Sequence, residues 1–146
     1  MQRPAKAVEN FQAGFACSQA VLAEYGELFD LRREQAIKLA AGFAGGMRIG
    51  STCGTVVAAY MVLGLKFGGQ DCGKLEGRKP VYEAISDFNR RFTAENGSLN
   101  CKDLLGCDIS TAGGLEIARQ KDLFRTDCPR FVRSVAELLD EILANG

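Results

Sequence analysis

Ile49-Gly50-Ser51-Thr52-Cys53-Gly54-Thr55-Val56-Val57-Ala58-Ala59-Tyr60-Met61-Val62-Leu63-Gly64-Leu65 is the most apolar uncharged stretch of the chain, held between Arg48 and Lys66. A membrane-spanning helix needs about 20 strongly apolar residues. This run has 17, and Gly50, Ser51, Thr52, Gly54 and Thr55 dilute its first half. It reads instead as a helix buried in a protein core, over 51–68. Around it the apolar spacing is helical wherever it can be followed. Val81, Ile85, Phe88 and Phe92 fall on one helical face, as do Phe131, Val135, Leu138 and Ile142, thickened by Val132 and Leu139. Val8, Phe11 and Phe15 mark a short helix, and Ala20, Val21, Leu22 and Tyr25 the next.

Glycines punctuate these segments at helix ends. The pattern predicts helices over 4–13, 17–26, 32–44, 51–68, 74–96, 100–106, 112–123 and 127–144. No run alternates as a strand would. The expected fold is all-α: one compact domain, residues 1–146, of about seven or eight helices packed around the 51–68 helix. A chain of 146 residues suits one domain. Its 47% hydrophobic content is enough for a core without covalent staples.

Charge excludes several functions. Lys plus Arg is 18 and Asp plus Glu is 18, so 18 − 18 = 0. A nucleic-acid binder would carry a basic excess or a basic face, and Arg90 and Arg91 beside the Phe88/Phe92 stripe read as its solvated edge. No nucleic-acid partner and no membrane insertion are expected. The N-terminal residues Met1 to Asn10 include Arg3, Lys6 and Glu9 where an export signal needs an apolar run, so a cytoplasmic location is expected. Histidine is absent, which removes the Ser–His–Asp mechanism and the commonest metal ligand together. Gly45-Gly46-Met47-Arg48-Ile49-Gly50-Ser51-Thr52 matches the glycine spacing of a phosphate loop. It has Ser51 in place of the lysine and no strand before it. A tight turn that lets the chain approach Cys53 is the better reading.

Six cysteines remain: Cys17, Cys53, Cys72, Cys101, Cys107 and Cys128. In a reducing compartment they point to redox or metal chemistry rather than a permanent disulfide scaffold. No C-x-x-C pair is present, so the local spacing of zinc fingers, ferredoxins and thioredoxins is missing. Position says more than spacing. Cys17 opens Cys17-Ser18-Gln19-Ala20, Cys53 follows Gly50-Ser51-Thr52, Cys101 follows Ser98-Leu99-Asn100, and Cys128 stands between Asp127, a good N-cap, and Pro129. A helix start presents unpaired N–H groups and a partial positive charge, and both favour thiolate over thiol. Arg48 is the definite cation nearest in sequence to Cys53. Cys72 and Cys107 read as loop or helix-end thiols without an obligatory role, although Cys107 lies close enough to Cys101 to resolve a disulfide.

These pieces resemble the C-GCAxxG-C-C family, small proteins described as redox-active. The resemblance is carried by Phe15-Ala16-Cys17-Ser18-Gln19-Ala20-Val21-Leu22, Gly50-Ser51-Thr52-Cys53-Gly54-Thr55-Val56-Val57-Ala58, Gly97-Ser98-Leu99-Asn100-Cys101-Lys102-Asp103-Leu104-Leu105-Gly106 and Asp127-Cys128-Pro129. The family's four cysteines fall on Cys17, Cys53, Cys101 and Cys128. Its central motif has Ala and Gly where this chain has Thr55 and Ala58. The resemblance implies a redox role with an unidentified redox partner protein and a functional association with a transporter.

The leading expectation is therefore thiol–disulfide exchange at one site formed by Cys17, Cys53, Cys101 and Cys128, with Cys53 attacking and a second thiol resolving. The alternative is a Cys₄ site on the same residues for zinc or an iron–sulfur cluster. A third reading is a helical interaction protein whose cysteines are structural.

Overall fold

The computed structural model describes residues 2–145. Its helices are α1 (Arg3–Gln12), α2 (Cys17–Gly26), α3 (Arg33–Ala40), α4 (Gly54–Phe67), α5 (Leu75–Asn96), α6 (Cys101–Leu105), α7 (Ala112–Gln120), α8 (Leu123–Thr126) and α9 (Cys128–Asn145). The fold is all-α. All eight helices expected from the sequence are present, and α8 adds a single turn after Asp122, whose left-handed backbone (φ 57°) ends the α7 segment early. Among the described residues no helix is long and apolar enough to cross a membrane.

The core helix is α4, as its composition demands, and α2 joins it. Val56, Ala58, Ala59, Val62 and Leu63 are wholly buried on α4, and Ala20 to Gly26 are buried along α2. Small residues on both let the two helices pack over most of their length. Helix α9 closes the bundle with the predicted stripe: Phe131, Val132, Val135, Leu138, Leu139 and Ile142 are buried. Helix α5 adds Phe88 and Phe92, whose rings stack at 6.0 Å between centroids. Arg90 and Arg91 face outward and pair with Asp87, Arg91 also with Glu141, so the stripe has no basic face beside it.

Two expected helices are shorter than their apolar patterns. The 32–44 segment is α-helical only to Ala40 and tightens through Ala41–Phe43 before the backbone turns left-handed. Residues 51–53 leave the helix expected to begin there because their backbone groups have another partner. Thr52 pairs with Asn100 as an antiparallel bridge. The Cys53 N–H donates to the Leu99 carbonyl at 2.8 Å, and the Cys101 N–H to the Ser51 carbonyl at 2.7 Å. This short clasp joins the start of α4 to the start of α6.

Helices α2 and α9 are tied by Tyr25, fully buried, whose hydroxyl lies 3.0 Å from the Ala136 carbonyl and 2.7 Å from an Asp140 carboxylate oxygen. Replacing it by phenylalanine keeps the ring packing and strands those acceptors. Tyr25→Phe is expected to cost about 1–3 kcal/mol, read as a lower denaturant midpoint at unchanged m-value.

Candidate functional site

Each of the four motif cysteines stands at a helix start. Cys17, Cys101 and Cys128 are the first residues of α2, α6 and α9, and Cys53 is the N-cap of α4. The bundle brings all four to one cavity of about 190 Å³. Cys53 and Cys101 are only 7% and 6% exposed, and both line that cavity. Its remaining wall is largely hydrocarbon: Phe11, Leu104, Ile109, Leu115, Phe124 and Phe131 contribute, with Arg48 and Thr55 as polar members.

Local bonds fix each element. At the start of α2, the Gln19 side chain accepts the Ala16 N–H at 2.9 Å and donates to the Ile37 carbonyl at 3.0 Å, while buried Ser18 donates to the Ala40 carbonyl at 2.7 Å. Both contacts hang the Cys17 turn from the end of α3. Gly54 then decides how near Cys17 comes to Cys53. A β-carbon on Gly54 would stand 2.8 Å from the Cys17 sulfur and 2.8 Å from the Phe43 carbonyl oxygen. Only glycine leaves room for that approach. The Asp127 carboxylate, expected to cap α9, instead accepts the Thr126 hydroxyl and pairs with Arg130.

The four thiols do not share one electrostatic fate. Cys53 lies below its ordinary thiol value, at about 6. The hydrogen bond from the Cys17 thiol is the largest cause. Burial opposes it, and the Thr55 hydroxyl with the backbone N–H groups of Thr55 and Val56 reinforces it. Those N–H groups belong to the buried first turn of α4, and the Thr55 oxygen is 3.3 Å from the Cys53 sulfur. Cys17 is pushed well up, first because its proton is held in the bond to Cys53, then by burial and the Cys53 charge, against a small pull from the Gly45 N–H. Cys101 and Cys128 each rise to about 12, mainly through burial and then the Cys53 charge. The expectation that every helix start favours its thiolate therefore fails at three of the four cysteines. In a dry pocket the first thiolate formed repels the next.

Arg48 lines the cavity and lowers Cys101, where desolvation and neighbouring charges outweigh it. It belongs to an unusual turn. Gly45, Gly46, Met47 and Arg48 have φ of 68°, 64°, 58° and 64°, four left-handed residues in succession, and the Ser51 N–H donates to the Gly46 carbonyl at 3.0 Å. For Met47 and Arg48 this geometry costs roughly 1–2 kcal/mol each, because the β-carbon crowds the following carbonyl. The turn delivers the Gly45 N–H to Cys17 and lays the Arg48 guanidinium over Gly45, 3.1 Å from where a β-carbon would be. The phosphate-loop-like spacing is this turn.

Cys72 lies in the turn before α5 and Cys107 beyond α6; both are half-buried and neither lines the cavity. Cys107 is near enough for its charge to raise Cys101 and Cys128. All six cysteines are free thiols. Among the described residues no three His, Cys, Asp or Glu side chains are grouped to hold a metal ion. Sequence reasoning did not single out Thr55 as a thiolate donor, nor Phe11, Leu115, Phe124 and Phe131 as cavity wall. A glycine directly after a helix-starting cysteine was the available sign that something packs there.

An all-α fold with a buried cluster of helix-start thiols around one cavity defines a class of cysteine-based helical proteins. Residues 15–142 match the family model described as "Putative redox-active protein (C_GCAxxG_C_C)", and the chain belongs to that family. Comparison with curated proteins and with solved structures found no match.

Two sets of variants test this geometry. Cys17→Ala should raise the pH midpoint of Cys53 alkylation by about one unit or more, and Thr55→Val should raise it by less, following the order of their contributions. Gly46→Ala places a β-carbon 2.4 Å from the Ser51 carbonyl oxygen. It should cost at least about 2 kcal/mol in denaturant unfolding.

Proposed function

We propose that this protein performs thiol–disulfide exchange, with Cys53 as the attacking thiolate and Cys17 as the resolving thiol. The observation that carries the reading is the Cys17 sulfur packed against Gly54, the residue next to Cys53, with Cys53 lowered and Cys17 raised there. The Cys53 thiolate attacks one sulfur of a substrate disulfide; a Cys53–sulfur bond forms, the substrate S–S bond breaks, and one substrate thiolate leaves. Once Cys53 is bonded, its negative charge no longer suppresses its neighbour. Cys17 then passes its proton to the departed thiolate, with the Gly45 N–H supporting the new Cys17 thiolate. That thiolate attacks Cys53 and expels the second substrate thiolate, which takes a proton from solvent. The pair loses two electrons to the substrate, two protein thiols become one disulfide, and two substrate thiols are released.

Cys101 and Cys128 line the same cavity as neutral thiols and take no part in the first attack. Their role is later exchange with the Cys17–Cys53 disulfide, when loss of the Cys53 charge removes one of the causes that raise them, burial being the larger.

The reaction is tested by pH and by mapping. Ionisation of Cys53 increases as pH rises, so its alkylation rate should climb through about pH 6 and level off before the free thiol range near about 8.5. After limited reaction with a small disulfide, peptide mass spectrometry should find Cys17 linked to Cys53. A Cys53 that titrates like a free thiol, or oxidation that skips this pair, overturns the reading.

A further inference from the structure

The cavity itself restricts what Cys53 can meet. About 190 Å³ is the space of a substituted aromatic ring, and an apolar protein cavity of about 150 Å³ is known to stay dry and take up benzene. Among the residues lining it no Asp, Glu, Lys, Asn or Gln side chain is present, and Thr55 is already directed at Cys53. A peptide segment carried inside would leave its amide groups without partners, at about 2–7 kcal/mol for each group. Phe11 and Phe124 line both this cavity and an open surface groove that includes Gln12, Asp122 and Arg125. The two rings thus stand between the cavity and a groove that carries charged residues.

We infer that the substrate of the Cys53 thiolate is a small, uncharged, apolar organic disulfide, one ring of which enters the cavity, rather than a peptide or protein disulfide. This rests on the exchange reading above and supplies its substrate class. Attack of Cys53 forms the Cys53–sulfur bond and breaks the S–S bond of the guest. The expelled thiolate finds a counter-charge in exposed Arg48, the charged residue of the wall. Cys17 resolves the mixed disulfide as described, so that the guest leaves as two thiols and takes up the two electrons of the pair.

The test uses the full reduced chain and two aromatic disulfides, neutral dipyridyl disulfide and the doubly anionic dithiobis(nitrobenzoate). Each rate is read as loss of alkylatable Cys53 after acid quench and divided by the rate of free cysteine with the same probe. The neutral probe should be favoured at Cys53 by at least about tenfold beyond the ratio seen for free cysteine. Leu115→Trp, which fills the cavity from α7, should slow the neutral probe to the level of the charged one, with helical circular dichroism and the Cys53 pH midpoint unchanged. Equal or inverted selectivity in the native chain overturns the inference, as does a folded Leu115→Trp protein that keeps its preference. A Cys53 slower than free cysteine towards both probes overturns the exchange reading and this inference with it.

Discussion

The approach of the Cys17 sulfur to the start of α4 beside Cys53, for which Gly54 leaves the space, is the constraint on which the site depends. Four sulfurs around one apolar cavity cannot all ionise, since burial penalises each charge and every charge penalises the others. The cluster therefore settles on one thiolate. Cys53 takes it because Cys17, Thr55 and the first N–H groups of α4 all donate towards the same sulfur. Cys101 and Cys128 are raised by burial first and then by the charge that Cys53 holds, and Cys17 by its pairing with Cys53, by burial and by that charge. Low and high thiols in one pocket thus arise together from burial and from the charge at Cys53.

Much of the surrounding architecture keeps that contact close. Gly54 leaves the space into which the Cys17 sulfur fits. The Ser51–Cys101 and Cys53–Leu99 backbone bonds hold α4 and α6 in fixed relation, so Cys101 stays against the cavity while Cys53 remains the cap of α4. The left-handed turn at 45–48 places unfavourable backbone at Met47 and Arg48 beside the reactive sulfurs. Such strain persists only when the surrounding packing outweighs it, and the long buried contact of α2 with α4 supplies that packing.

The sequence showed the helices and the positions of the reactive residues, because both rest on local chemistry. Apolar spacing marks α5 and α9, and a cysteine after a short polar or glycine stretch marks a helix start. It did not show which cysteine carries the charge, because this depends on neighbours from four different elements. Helix-start position alone favours a thiolate at Cys17, Cys101 and Cys128 as much as at Cys53. The left-handed turn was hidden for another reason. Gly45 and Gly46 announce a turn, but Met47 and Arg48 give no local sign of positive φ, which non-glycine residues rarely adopt. The early end of the helix at Ala40 and the late start of α4 follow from long-range pairing that apolar periodicity does not report.

Thr55 carries one further step. The family motif has alanine there, and here the added hydroxyl lies 3.3 Å from the Cys53 sulfur. A stabilised thiolate is a weaker nucleophile than its ionised fraction suggests, because nucleophilicity falls with pKa, yet it is a better leaving group. In the proposed exchange, holding Cys53 as thiolate also stabilises the reduced pair, so a Cys17–Cys53 disulfide is more oxidising than one between ordinary thiols. Such a pair is oxidised readily only by a disulfide whose own thiols leave easily. Aromatic thiols meet that requirement because their rings delocalise the charge, and an apolar cavity with three phenylalanines in its wall accommodates their shape. In the proposed exchange, the electronic demand set by Cys53 and the steric demand set by the cavity therefore select the same kind of molecule.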